Sequence, residues 1–224
     1  EKLRIYTEIC QRVPDDLLSR HVHASLQGDA EALWALKRAL AMQLATVSLL
    51  CHAFTAGDRS PQRFVFSKKT GRFVASEFRP VYRPEGQMEP SEDVPFRLTR
   101  NIMTLLSPLL VDGVFASSMA TTALAVSEKS ATLKPYLTLI LRDDLMSWHA
   151  SKMQPQTDAE QRRNEAQLAE RVSKNVKHAL DRVQTAAPRL SHSGGRVHRE
   201  HRVDHIAHRL IEAAAQPERL CQMN

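Results

Sequence analysis

Glycine and aromatic residues are scarce in this chain: 7 glycines and 5% Phe, Trp and Tyr in 224 residues. A β-sandwich draws on both, for its many tight turns and its interlocking core. The composition therefore disfavours that class and suits helices. Cysteine is scarce too. Cys10, Cys51 and Cys221 are odd in number and lack the paired spacing of a metal site, which points to a reducing compartment rather than a disulfide framework. No secretory leader and no uninterrupted run of 18 apolar residues is present, so neither secretion nor membrane spanning is indicated. The start at Glu1, without an initiator Met, suggests a fragment.

What is present is an ordinary balance for a globular chain, 42% hydrophobic and 25% charged. At this length one large domain or two small ones can bury a core. The net charge of +6 permits acidic partners, nucleic acid included, but basicity alone selects none of them. Leu3 to Cys10 is amphipathic, and Val13-Pro14-Asp15-Asp16 reads as a helix start, since Pro and acidic groups favour a first turn. From Asp29, a plausible N-cap, to about Phe54, Leu33, Leu36, Leu40, Leu44 and Val47 recur at helical spacing and predict one buried face. Trp34 is expected to pack in the core. Arg100 to Val111 reads as a helix ended by a turn at Asp112-Gly113, and Phe115 to Val126 as a buried, Ala- and Met-rich segment. Pro135 to about His149 reads as an amphipathic helix with Tyr136, Leu139, Ile140 and Leu145 apolar. His149 is expected to be structural. From Gln154 to Ala187 the chain is highly polar, with Leu168, Val172, Val176, Leu180 and Val183 forming one narrow stripe, which predicts a long surface helix. Pro188 to Gly195 reads as a flexible linker.

The most informative stretch lies between these helices. Phe64-Val65-Phe66 and Phe73-Val74-Ala75 flank Ser67-Lys68-Lys69-Thr70-Gly71, two β-compatible runs around a short Gly-containing loop, hence a hairpin. A polar cluster stands at each outer end: Gly57-Asp58-Arg59-Ser60-Pro61-Gln62-Arg63 before it, Ser76-Glu77-Phe78-Arg79 after it. Pro80 to Pro95 then carries four prolines and reads as an irregular loop containing Tyr82, closed by Val94-Pro95-Phe96-Arg97-Leu98-Thr99.

These residues resemble the phosphatidylinositol 3-kinase-related kinases. That family carries an Asp-Arg-His-x-x-Asn catalytic loop, a short hairpin and then His-Ile-Asp-Phe-Gly. Asp58 to Arg63 and Ala75 to Arg79 lay onto this frame without a gap. Val94 to Thr99 is similar to the end of the family's activation segment. Leu33-Trp34-x-Leu36-Lys37-Arg38-x-Leu40-x-x-Gln43-Leu44-Ala45 and Leu141-Arg142-Asp143-Asp144-x-x-x-Trp148-His149 resemble motifs of the transformation/transcription domain-associated proteins, the pseudokinase branch. Leu210 to Met223 resembles the short C-terminal FATC motif without its Trp- and Pro-containing end.

The resemblance implies a mainly α (α+β) fold: a protein-kinase-like C-lobe with a small β-hairpin, followed by a helical C-terminal segment. The expected divisions are a pseudokinase C-lobe over 1–153, a polar helix and linker over 154–198, and a truncated FATC-like segment over 199–224. In this frame Asp58 keeps the place of the residue that orients a hydroxyl nucleophile. Ser60 replaces the loop His and removes its imidazole. Arg63 replaces the metal-ligating Asn, and a guanidinium, which only donates and stays charged, repels a cation. Glu77 replaces the metal-ligating Asp and shifts the carboxylate by about 1 Å, enough to cost on the order of a hundredfold in rate at a demanding magnesium site. Arg79 replaces a Gly that gives the backbone freedom.

These five are therefore degenerate positions rather than a working site, with no catalytic, cofactor-binding or metal-binding residue expected. No Gly-rich phosphate loop with its lysine is recognisable. The resemblance implies a non-catalytic scaffold of SAGA-type and related histone acetyltransferase complexes in the nucleus. It would contact other subunits of those complexes and, through the parent protein, transcription activators, with no direct nucleic acid or membrane contact. The alternative is a fragment of an active Ser/Thr kinase of the same family, supported by Asp58. His201 and His205 sit one helical turn apart, as two metal ligands do, but no Cys or carboxylate completes the set and neighbouring arginines discourage a cation. A basic nucleic-acid module is the third reading, weakened by the lack of stacking aromatics.

Overall fold

A computed structural model of the chain describes residues 1–57, 60–76, 78–89, 93–108, 111–152, 158–187 and 202–222, with the side chains of residues 152, 158–166 and 202–205 left aside. The fold is mainly helical with one two-stranded antiparallel sheet, as the resemblance implied.

Helix α3 (Ala30–Ala53) is the axis of the core. Asp29 caps it, its carboxylate accepting from the Ala32 N–H at 3.0 Å. Leu36, Leu40 and Leu44 are buried along one stripe, with Ala41, Ala45 and Leu49 beside them. By length and composition alone α3 could cross a membrane; here Leu36, Leu40, Leu44 and Leu49 of its apolar residues are buried in the protein's own core. Trp34 corrects the sequence reading. Its side chain is 53% exposed, because it sits two residues before Leu36, on the other side of the helix.

Two short helices, α1 (Lys2–Arg12) and α2 (Leu17–Ser25), precede α3. Leu3, Ile5 and Ile9 of α1 are exposed, while Val22 of α2 is fully buried. The strands β1 (Phe64–Phe66) and β2 (Phe73–Ala75) pair in the register Phe64 with Ala75, Val65 with Val74 and Phe66 with Phe73. Alternation turns Val65 and Val74 outward and the three phenylalanines toward α3.

Helix α4 (Arg100–Leu106) is shorter than the sequence suggests. Pro108, which has no N–H, follows its C-cap and stops it. The Asp112-Gly113 turn is likewise absent as such: residues Val111–Phe115 wind into a π-helical turn that runs straight into α5 (Ala116–Glu128). Helix α6 (Ser130–Lys152) begins one turn earlier than expected and contains Pro135, forgoing the amide bond to the carbonyl four residues back. Leu141 and Leu145 are buried, but Tyr136, Leu139 and Ile140 are all well exposed.

Helix α7 (Asp158–Ala186) carries the predicted stripe. Leu168, Val172, Val176 and Val183 are buried, and the helix lies against α3, α5 and α6, so its apolar face is part of the common core. Helices α8 (Arg202–Ala215) and α9 (Pro217–Leu220) follow, with Ala207, Ile211 and Ala214 turned inward at helical spacing. The expected linker and His201 lie outside the described residues, and His205 is described in its backbone alone.

Candidate functional site: the mouth of the hairpin

The hairpin reaches its position through α3. Gln43 Oε1 accepts from the Phe73 N–H at 2.9 Å, tying β2 to the helix by a side chain rather than by a third strand. At the turn, the Ser67 N–H donates to Arg72 and the Gly71 N–H to Ser67, at 2.8 and 2.9 Å. Gly71 has φ +66°, and a Cβ there would lie 2.3 Å from the Leu36 carbonyl oxygen. The turn thus rests directly on α3 backbone, which only glycine permits. Beneath the hairpin is a cavity of about 180 Å³ whose lining is mostly apolar, with Leu40, Leu44, Phe64, Phe66 and Phe73, and also includes Arg97 and Thr99.

The outer ends of the hairpin converge. Ser60 stands before a 3-10 turn over Pro61–Arg63, and its carbonyl accepts from the Arg63 N–H at 3.0 Å. The Arg63 carbonyl accepts from the Ser76 N–H at 2.8 Å and from its hydroxyl at 3.3 Å. Further out, the Gly57 N–H donates to Arg79 at 3.1 Å, and the Val81 N–H to Thr55 at 3.1 Å. The segment before the hairpin therefore lies against the segment after it. Ser60, Arg63 and Arg79 come together at one mouth, with Arg79 exposed and Ser60 and Arg63 half-buried. Asp58 and Glu77 lie outside the described residues. Among the described residues no cluster of three or more His, Cys, Asp or Glu is placed to hold a metal. Magnesium, which the resemblance implies for working kinases, does not fit Arg63: its guanidinium offers no lone pair to a cation.

The loop beyond the mouth is pinned. Tyr82 is buried, donates to Asp144 Oδ2 at 2.8 Å and packs on the Trp148 ring at 5.5 Å. Burial first, then the hydrogen bond to Asp144, holds its phenol above the usual tyrosine range. A phenol so enclosed is not displayed for modification. Asn175 of α7, 3% exposed, accepts from the Met88 N–H at 3.0 Å and donates to the Gly86 carbonyl at 2.9 Å. The closing segment is anchored by alternation: Val94, Phe96 and Leu98 are buried.

Sequence reasoning placed the mouth but missed the clamps. Gln43 and Asp144 stand within the quoted motifs, which was their only signal. Asn175 had none, since one Asn on a polar helix looks like any surface amide.

A family model described as "Phosphatidylinositol 3- and 4-kinase" matches residues 5–150. The "SAGA complex/NuA4 acetyltransferase complex subunit TRA1" of Saccharomyces cerevisiae is 26% identical over 201 residues, 81% of this chain and 5% of that protein. The "Transformation/transcription domain-associated protein" of Danio rerio is 27% identical over 203 residues, 88% of this chain and 5% of that protein. The "DNA-dependent protein kinase catalytic subunit" of Dictyostelium discoideum is 27% identical over 180 residues, 80% of this chain and 4% of that protein. Among solved structures, one described as "FAT and kinase domain of CtTel1" covers 99% of this chain and 14% of its own, with a TM-score of 0.61 at 20% identity. The chain thus spans about one-twentieth of the curated relatives it matches.

Proposed function

Because the chain belongs to the phosphatidylinositol 3- and 4-kinase family, we propose that it is a non-catalytic, kinase-like segment of a large nuclear scaffold. That scaffold would serve SAGA-type and related histone acetyltransferase complexes. Its partners would be other subunits of those complexes and, through the parent protein, the transcription activators that recruit them. The relatives named TRA1 and transformation/transcription domain-associated protein, each matched over most of the chain, support the scaffold. One observation carries the non-catalytic reading. Arg63, which sits at the position of a metal-ligating Asn in the family's frame, is held by its own carbonyl against Ser76 at the hairpin mouth. A guanidinium in that position has no lone pair to offer magnesium, whatever it is paired with. Ser60 and Glu77 depart from the frame in the same direction.

The test uses the full-length protein. A ligand at a hundred times its dissociation constant stabilises the folded state by about 2.7 kcal/mol, so thermal unfolding with millimolar ATP and magnesium reads binding directly. No shift is expected. A second reading, an active protein kinase, draws on the Dictyostelium relative and on Asp58. A magnesium-dependent shift, with substrate phosphorylation abolished by Asp58→Ala, would establish it instead.

A further inference from the structure

Away from the hairpin, α7, α8 and α9 enclose with the end of α3 a cavity of about 720 Å³. That volume falls in the range of small-ligand sites. Its lining carries Arg182, Arg209, Arg219, His52 and His178 against two carboxylates, Asp181 and Glu212. The sign is therefore positive even with both imidazoles neutral. Arg182 and Arg219 are half-buried, whereas both carboxylates are exposed. The recessed charge is cationic and the anionic groups stand toward water.

The guanidiniums have donors to spare. Arg182 reaches the Ala53 carbonyl at 3.4 Å and Arg219 the Asp93 carbonyl at 3.2 Å, one bond each from five N–H groups. Among the described residues, Arg182, Arg209 and His178 make no ion pair. Burial alone lowers the basicity of Arg182, with no carboxylate acting to restore it. A half-buried, uncompensated guanidinium gains most from an anion that brings its own charge.

We propose that this cavity binds a small soluble polyanion carrying two or more phosphate groups, held by Arg182, Arg209 and Arg219. The planar guanidinium fork matches phosphate oxygens two at a time, and each phosphate carries more charge than a carboxylate. The site is independent of whether the hairpin mouth binds nucleotide.

Calorimetric titration of the full 224-residue chain with tripolyphosphate at fixed ionic strength is expected to show one saturable site. Arg209→Glu changes an exposed side chain without an ion pair, so the fold is retained; binding should weaken about tenfold or more. Asp181→Asn should tighten it several-fold, and Lys68→Glu on the hairpin turn should leave it unchanged. Absence of saturation at millimolar tripolyphosphate, or an equal loss with Lys68→Glu, overturns the proposal. So does binding only to phosphatidic acid vesicles or only to a doubly phosphorylated peptide, which would make the ligand a lipid or a protein.

Discussion

His149 shows how one position takes its chemistry from its neighbours. It stands edge-on to Trp148 at 5.0 Å and beneath Gly86, where an added Cβ would meet its Nε2 at 3.6 Å. Nε2 also lies 3.3 Å from the Arg171 guanidinium. A guanidinium only donates, so the imidazole must accept and stay neutral. Burial first and Arg171 second hold its pKa below the usual 6.5. The sign of the linkage follows. The unfolded chain takes up a proton near pH 6.5 that the folded chain refuses, so the stabilisation is complete above that pH. It is lost as the pH falls through the folded value. Denaturant midpoints measured from about pH 7.5 down to about 5 should decline for the wild type, and decline less steeply for His149→Gln. Equal slopes would remove His149 from the account.

At the scale of elements, the hairpin depends on contact with α3 more than on its own pairing, since two three-residue strands are too short to stand alone. Gly71→Ala puts a methyl into the Leu36 carbonyl and a side chain at positive φ. We expect a loss of roughly 2–4 kcal/mol, read as a lower urea midpoint with an unchanged slope. A loss under about 0.5 kcal/mol would mean that the turn lifts off the helix at little cost. The hairpin itself was legible because β-compatible runs around Gly71 leave few alternatives. So was α3, from Asp29 and the leucine spacing. Trp34 was not, since aromatic character predicts burial on average and says nothing of which side a partner takes. Tyr136, Leu139 and Ile140 misled in the same way: their spacing marks a face, and Leu141 and Leu145 sit on the face that is covered. At the mouth, the convergence of Ser60, Arg63 and Arg79 followed from the hairpin once its frame was known. The clamps on the following loop are contacts between distant segments, which local pattern does not encode.

Across the whole molecule, the most consequential of those contacts is Asn175. It joins the loop after the hairpin to a helix whose composition suggested only a solvated surface. Asn175→Ala leaves the Met88 N–H and the Gly86 carbonyl buried without partners, at a cost of about 2–4 kcal/mol. Hydrogen exchange should report it locally, with the Met88 amide losing protection ahead of the amides of α3. Uniform loss across the chain would show instead that the loop opens only when everything unfolds.

The same bond has a consequence in time. Its partners stand 87 and 89 residues apart in sequence. A ribosome adding 5–20 residues per second makes Met88 roughly 4–17 s before it makes Asn175. Through that interval the loop must hold Tyr82 and Met88 without the amide that will fasten it, and cannot complete its native contacts however fast the hairpin and α3 assemble. The loop is therefore made well before the helix that fastens it, and a chaperone that shelters nascent apolar loops has a defined window in which to act.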